Sequence, residues 1–128
     1  MSYVGVVLIS HSSKIAEGVK ELIRQVVKDV PIETAGGTEE NEIGTSINKI
    51  QAAINKADQG KGVLLFYDLG SAKMNAEMAI EMSGLENVRL RLIEAPIVEG
   101  AYVAAVEAGE AGMGKDLDDV AKRVKESF

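Results

Sequence analysis

The sequence contains no cysteine and no tryptophan, and aromatic residues make up only 4% of its 128 residues. The absence of cysteine excludes disulfides, thiolate metal ligands and a cysteine nucleophile. The scarcity of aromatic residues predicts an aliphatic core and argues against a surface on which nucleic-acid bases stack. A chain of this length suits one domain, so we expect residues 1–128 to fold around a single sheet without covalent crosslinks.

Two other features are missing, namely a cluster of basic residues and a long apolar run. The net charge is −6, and lysines and arginines are interspersed with acidic residues. This balance argues against nucleic acid and against an anionic membrane as a partner. No apolar run approaches the roughly 18 residues of a membrane span, and the N-terminus lacks the pattern of a secretory signal. We therefore expect a cytoplasmic protein.

Four short runs predict β-strands: Tyr3–Ile9, Ile32–Ala35, Gly62–Tyr67 and Val88–Ile93. The first and third runs are almost continuously apolar, which is typical of strands covered on both faces of a parallel sheet. The fourth alternates apolar residues with arginines, which predicts an edge strand with one exposed face.

Helical periodicity follows each predicted strand. The third helix is predicted over Ala72–Met82, with its methionines interpreted as core rather than as a docking face, and with Met74 near its start left open to either role. The fourth begins at Pro96, and glycines at 109, 112 and 114 are expected to end it before a last helix over Leu117–Phe128. The predicted inward positions of the first two helices are Ile15, Val19, Leu22, Ile23, Val26 and Val27, then Ile43, Ile47, Ile50, Ile54 and Ala57.

This alternation of strands and helices predicts an α/β domain. We expect an open four-stranded, mainly parallel sheet of order 2-1-3-4, with helices on both faces and right-handed crossovers. Ligands of such sheets bind beyond the carboxyl ends of the strands, where the winding direction reverses. His11 follows strand one and Asp68 follows strand three, so this strand order brings the two side chains together.

His11 is the single histidine of the chain, and it has two interpretations. In the first, it is a hydrogen-bonded structural residue at a strand end, since a fold alone does not define a function. Alternatively, Asp68 accepts a hydrogen bond from Nδ1–H and leaves the Nε2 lone pair free as a nucleophile. Ser12 or Ser13 can cap the following helix, whose first N–H groups favour an anion nearby. The second interpretation predicts a histidine that carries a phosphoryl group.

Two neighbouring loops supply candidate groups for stabilising that phosphoryl group. After strand two, the backbone of Gly36, Gly37 and Thr38 can offer N–H groups, although the same stretch is also explained as a solvated turn. After strand three, Gly70 permits a tight turn, and Ser71 can cap the third helix while its hydroxyl faces the site. We therefore select Ser12, Gly37, Thr38, Gly70 and Ser71 as candidate phosphoryl-stabilising residues.

Other chemistries lack their motifs in this sequence. There is no glycine-rich dinucleotide fingerprint and no Walker A spacing, so no nucleotide cofactor is expected. One histidine and one aspartate are too few for a metal site, and the G-x-S-x-G elbow of a serine hydrolase is absent. We therefore expect no cofactor and no metal.

Four stretches together resemble one known family. They are LISHSSKIAEGV, AGGT with IGTS, YDLGSAKMNAEMAIE and IEAPIVEGAYVAAVEA, which occur in order over nearly the whole chain. They are similar to the mannose-type enzyme IIA domains of the phosphotransferase system. Within that family they look most like the phosphotransfer subunits of phosphoenolpyruvate-dependent dihydroxyacetone kinases.

The resemblance implies a cytoplasmic homodimer that acts as a phosphotransferase component. His11 falls on the family's phosphohistidine and Asp68 on the aspartate that orients it. The donor would be phospho-HPr, a small carrier protein, and the acceptor would be ADP bound on the kinase L subunit. Mannose-type dimers exchange a C-terminal strand, whereas no strand pattern follows Pro96 in this sequence.

Two alternatives remain open from the sequence. One is a stand-alone enzyme IIA component of a mannose-type sugar transporter, which uses the same chemistry with a different acceptor. The other is a non-catalytic, flavodoxin-like regulatory module in which His11 is structural.

Overall fold

The computed structural model describes residues 2–84, 89–110 and 115–128. Four strands and five helices lie along these residues, alternating up to the fourth helix, which the fifth helix follows directly. In chain order they are β1 (Gly5–Ser10), α1 (Ser13–Arg24), β2 (Ile32–Gly36), α2 (Ile47–Ala57), β3 (Val63–Tyr67), α3 (Ala72–Met82), β4 (Leu90–Leu92), α4 (Ile97–Glu110) and α5 (Leu117–Ser127).

The strands form one sheet of order β2-β1-β3-β4, and all three strand pairs are parallel. This confirms the predicted α/β class and strand order. Ile9 of β1 lies level with Tyr67 of β3, so the residues that follow these strands emerge side by side at the same sheet edge. The short strand β4 pairs with β3 alone, which confirms that it lies at an edge.

Helices cover both faces of the sheet because the central strands alternate their side chains between two apolar cores. On one face, Val6 and Leu8 of β1 pack with residues from α1, α4 and α5. On the other face, Val7 and Ile9 pack with residues from α2 and α3. Two-sided burial accounts for the continuous apolar runs of β1 and β3.

The predicted second helix begins too early, because Ile43 belongs to the preceding loop and is 78% exposed. Helix α2 begins only after Ser46, whose hydroxyl accepts a hydrogen bond from the Lys49 amide and caps the helix. Three predicted inward positions of the first helix are also wrong, because Ile15 and Leu22 in α1 and Val26 just after it are exposed. The smaller Ala16 occupies the buried stripe of that helix instead.

The interpretation of the α3 methionines other than Met74 as core residues is also wrong. Met74, Met78 and Met82 are all exposed, and the alanines of α3 face the sheet in their place. Small residues allow this helix to approach the sheet closely, which leaves the long side chains on the outer face.

The last two helices follow their predictions apart from one boundary. Helix α4 starts directly after Pro96, but it continues through Gly109 to Glu110. Gly112 and Gly114, expected to end it, lie outside the described residues, as does Val88 of the predicted fourth strand. Helix α5 confirms the predicted C-terminal helix. Within the described ranges, no helix is both long enough and apolar enough to span a bilayer.

Candidate active site

His11 and Asp68 meet at the carboxyl ends of β1 and β3. Ile9 of β1 pairs with Tyr67 of β3, and His11 and Asp68 follow shortly after them in the chain. The register of the sheet therefore brings both side chains to the same edge. Nδ1 of His11 lies 3.0 Å from Oδ1 of Asp68. The two side chains retain 20% and 13% of their exposure, so the pair is shielded but still open to an approaching group.

Four hydrogen bonds hold the Asp68 carboxylate. Oδ2 accepts from the Ser10 hydroxyl at 2.8 Å and from the His11 amide at 2.9 Å. Oδ1 accepts from the Leu69 amide at 2.7 Å in addition to its contact with the His11 ring. Burial alone would raise the pKa of Asp68, but the bonds from His11, Leu69 and Ser10 outweigh burial and hold this pKa below its ordinary value. The carboxylate is therefore ionised at neutral pH.

An ionised Asp68 fixes the protonation pattern of the neutral imidazole. A carboxylate can only accept, so the ring nitrogen that faces it, Nδ1, must carry the proton. Nε2 is then left with its lone pair and lies 2.9 Å from the Ser71 hydroxyl, which donates to it. The histidine thus presents a basic nitrogen on the side away from the aspartate.

The backbone of His11 is also held by its neighbours. Its amide donates to Asp68, and its carbonyl accepts from the Gly44 amide at 2.9 Å. Gly44 belongs to the loop before α2, so three loops determine where the imidazole lies. Such a fixed ring suits a group that must attack along one direction.

Two helices begin beside the imidazole. Ser12 is the N-cap of α1, and its hydroxyl accepts from the Ile15 amide at 3.3 Å. Ser71 is the N-cap residue of α3, but its hydroxyl bonds His11 and makes no capping bond. Both helices therefore direct their positive ends towards this region, which favours a bound anion.

The loop after β2 lies close to the site, but its amides already have partners. The Gly37 amide donates to the Ser10 carbonyl at 3.0 Å, and the Thr38 amide donates to the Glu42 carbonyl at 2.9 Å. The Thr38 hydroxyl accepts from the Glu42 amide at 3.1 Å. A phosphoryl group contacting Gly37 or Thr38 would have to replace these bonds, so their assignment to phosphoryl binding stays a prediction.

Gly36 has a steric role in this loop. A β-carbon at this position would lie 2.5 Å from Cα of Ser13, so the end of β2 touches the start of α1. At Gly70, by contrast, the space for a β-carbon is open. Gly70 leaves a low surface next to Ser71, and its role as a phosphoryl contact also stays a prediction.

Two features of the site were missed by the sequence analysis. Ser10 is completely buried beneath the pair, and the signal for it was a polar residue ending an otherwise apolar strand. The other missed feature is Leu69, two residues before Ser71, which exposes 59% of its surface; Met74, which the sequence left open between core and docking face, exposes 72%.

In this geometry Nδ1 of a partly exposed histidine contacts a carboxylate. Its Nε2 faces the side where two helices begin, which favours a bound anion. The chain matches the family EIIA-man, described as "PTS system fructose IIA component", over residues 5–121. The protein therefore belongs to this family of phosphotransferase-system IIA domains.

Its relatives include proteins named as phosphoryl donor subunits. The chain is 48% identical over 103 residues to the DhaM phosphoryl donor subunit of PEP-dependent dihydroxyacetone kinase 1 of Listeria innocua, covering 80% of each chain. It is 43% identical over 111 residues to the DhaM phosphotransferase subunit of the PTS-dependent dihydroxyacetone kinase of Lactococcus lactis, covering 85% of this chain and 86% of the relative. In Escherichia coli, the DhaM relative is 39% identical, but the match covers 25% of its length.

Solved structures share the same fold. A crystal structure of a protein of unknown function superimposes with a TM-score of 0.82 at 35% identity, covering 98% of this chain and 95% of that one. A sigma-54 interaction domain protein from Enterococcus faecalis has a TM-score of 0.72 at 18% identity, covering 99% and 91%, which supports the fold alone.

Proposed function

We propose that this protein is a phosphohistidine carrier that supplies phosphoryl groups to a dihydroxyacetone kinase. The observation that carries the proposal is the imidazole of His11, with Nδ1 facing a buried carboxylate and Nε2 facing an accessible hydroxyl. A histidine held purely for structure has no need of one nitrogen kept basic at the surface. The relatives are named as subunits of dihydroxyacetone kinases, which supports a kinase of this type as the recipient of the phosphoryl group.

The transfer needs no group beyond this chain and its two partners. Nε2 attacks the phosphorus of a phosphohistidine on the donor, a P–N bond to His11 forms, and the P–N bond to the donor breaks. Nδ1 keeps its proton throughout, so the phosphorylated ring carries a positive charge that the Asp68 carboxylate stabilises 3.0 Å away. In the second transfer a terminal β-phosphate oxygen of ADP attacks the phosphorus, the P–O bond of ATP forms, and the P–N bond to His11 breaks, which returns the lone pair to Nε2.

Ser71 changes partner during the reaction. In the resting protein its hydroxyl donates to Nε2, and this bond must break before Nε2 can attack. The freed hydroxyl then lies within reach of the incoming phosphoryl oxygens. The N-termini of α1 and α3 add favourable electrostatics for the same charge.

Phospho-HPr is the proposed donor, and ADP held on the kinase L subunit is the proposed acceptor. Both partners must reach the same imidazole in turn, which favours small, transient interfaces. The active form is proposed to be a homodimer, which sedimentation at micromolar concentration tests directly. A monomeric protein that still transferred phosphate would refute the dimer alone.

The experiment combines phosphorylation with intact-mass measurement. Incubation with phospho-HPr should add one phosphoryl group per chain, which is labile in acid, stable in base and absent from His11→Ala. Phosphate found on Ser12, Ser71 or Asp68 would refute His11 as acceptor. The phosphoprotein should then lose its phosphate to L subunit carrying ADP and retain it with free ADP.

A second candidate is a IIA component of a sugar transporter, which the sugar-specific description of the family favours. It predicts transfer to a mannose-type IIB protein. Rapid transfer to IIB with none to the L subunit would overturn the kinase assignment and leave the carrier chemistry intact.

A further inference from the structure

Ser10 is a buried polar residue directly beneath the His11–Asp68 pair. It ends β1 and has no exposed surface; of the residues that the structure describes, Ser46 is the other buried polar one. The Ser10 hydroxyl donates to Oδ2 of Asp68 at 2.8 Å and accepts from the Ser12 amide at 3.1 Å. The donor and one acceptor lone pair of this hydroxyl are therefore used within the site.

The two bonds connect three parts of the site through one atom. Oγ of Ser10 joins the end of β1, the loop after β3 and the cap of α1. A hydroxyl buried without partners would destabilise the fold, and an alanine would fill the same place without any such requirement. A serine at this position is therefore explained by what its hydroxyl holds.

The Ser10 hydroxyl restricts the rotation of the Asp68 carboxylate. Oδ2 is bonded to Ser10 and to the His11 amide, which leaves Oδ1 directed at the imidazole. Without the Ser10 bond, Oδ2 would keep only the His11 amide, while Oδ1 would keep the Leu69 amide. The carboxylate plane would then be less restrained about Cβ–Cγ. Oδ1 would then meet Nδ1 at a poorer angle, and hydrogen bonds weaken steeply as they bend.

We propose that Ser10 is a positioning residue for phosphoryl transfer, which sets the carboxylate of Asp68 so that the neutral imidazole of His11 keeps its proton on Nδ1. Ser10 contacts neither the phosphoryl group nor a partner and acts through Asp68. The inference rests on the proposed carrier function, but the protonation pattern it predicts belongs to the resting protein. Loss of the Ser10 bond also removes one of the interactions that keep the pKa of Asp68 low.

The test uses Ser10→Ala with Ser46→Ala as its matched control. Both substitutions remove a buried hydroxyl, and Ser46→Ala removes a helix cap without touching Asp68. Nitrogen-15 NMR of the labelled imidazole at a pH where it is neutral reports which nitrogen carries the proton. We expect only Nδ1–H in the wild type and in Ser46→Ala, and a clear Nε2–H population in Ser10→Ala.

Two further variants separate positioning from folding. Ser10→Thr keeps the hydroxyl and should retain the wild-type tautomer. Ser10→Cys keeps the volume with a weak donor, so it tests the same bond if the alanine variant folds poorly. An unchanged tautomer in both Ser10→Ala and Ser10→Cys, or a threonine variant that behaves like alanine, would overturn the proposal.

Kinetics provide an independent readout. A hydrogen bond to a charged group is removed, so phosphorylation of Ser10→Ala by phospho-HPr should be slower by roughly tenfold, with little change in KM. A higher KM at unchanged kcat would instead indicate disturbed docking and contradict positioning. If the wild type accepts no phosphate from phospho-HPr, the carrier function fails, while the tautomer measurement still decides the role of Ser10.

Discussion

Oγ of Ser71 lies 2.9 Å from Nε2 of His11, so the nitrogen that would attack phosphorus already has a hydrogen-bond donor in the resting protein. This contact has two opposite consequences for the rate. It occupies the lone pair before reaction, and in the proposed transfer it also places a donor near the phosphoryl oxygens.

Ser71→Ala distinguishes these two effects by the sign of the rate change. We expect phosphorylation by phospho-HPr to slow by roughly 10-fold to 100-fold, because a lost donor to the transition state costs more than a freed lone pair gains. Rapid quench measurements give the rate, and Ser127→Ala in α5 provides an exposed serine as control. A faster Ser71→Ala variant would show that the hydroxyl merely occupies Nε2.

Asp68→Asn should keep the fold and lose phosphotransfer. An amide has one acceptor oxygen, so it cannot accept from Ser10 and the His11 amide on one side and from the ring on the other. The variant therefore favours the Nδ1–H tautomer of His11 less, and it does not stabilise the positive charge of the phosphorylated ring. We expect a rate lower by on the order of 10²-fold, measured by quenched flow.

Asp58→Asn is the matched control for this substitution. Asp58 is equally shielded, with 12% of its side chain exposed, and it pairs with Arg89 at 2.5 Å, away from His11. Its loss should reduce stability without slowing transfer. Equal losses of activity in the two variants would mean that Asp68 acts only through folding.

The proximity of His11 and Asp68 could be predicted because it follows from the strand order. The apolar runs of β1 and β3 identify two buried neighbours, and the residues after them must emerge together. The hydrogen bonds that Asp68 accepts from the Ser10 hydroxyl and the Leu69 amide could not be predicted. The spacing of apolar residues indicates strands and helices, but it does not indicate the hydrogen-bond partners of a side chain.

Helix faces were predicted less well, and the reason is steric. In α3 the sequence alternates alanines with methionines, and hydrophobicity alone favours the larger residues for the core. Close packing on the sheet selects the alanines instead. The same preference buries Ala16 in α1 and leaves Ile15 at the surface.

Gly36→Ala and Gly18→Ala should change stability in opposite directions. At Gly36 the new methyl group meets the Ser13 backbone at 2.5 Å, so β2 and α1 must separate. We expect a loss of roughly 1–3 kcal/mol in the free energy of unfolding. Gly18 lies within α1 with open space around it, so alanine should add up to about 1 kcal/mol. Urea denaturation measures both, and a tolerated Gly36→Ala would contradict the close approach.

Met74→Ser should weaken protein partners without altering the chemistry. Met74 is 72% exposed in the first turn of α3, next to the residue that contacts His11. We expect a partner that reaches Nε2 to contact this turn, so the substitution should raise the KM for phospho-HPr severalfold. Phosphorylation by phosphoramidate, a small donor, should be unchanged. Met82→Ser at the far end of α3 is the control, and an equal effect there would refute docking near the site.

The stability of the protein should fall in acid partly because of Asp68. Its folded-state pKa lies below the ordinary aspartate value, so its contribution is fully present above about pH 5. This contribution declines as the pH falls through the pKa of the unfolded state, about 4, and disappears once the carboxylate of the folded protein is protonated. The difference in the free energy of unfolding between wild type and Asp68→Asn should therefore be constant near neutrality and shrink below about pH 4. Urea titrations between these limits measure it, and a difference that grows in acid would show that the hydrogen bonds favour the protonated carboxyl.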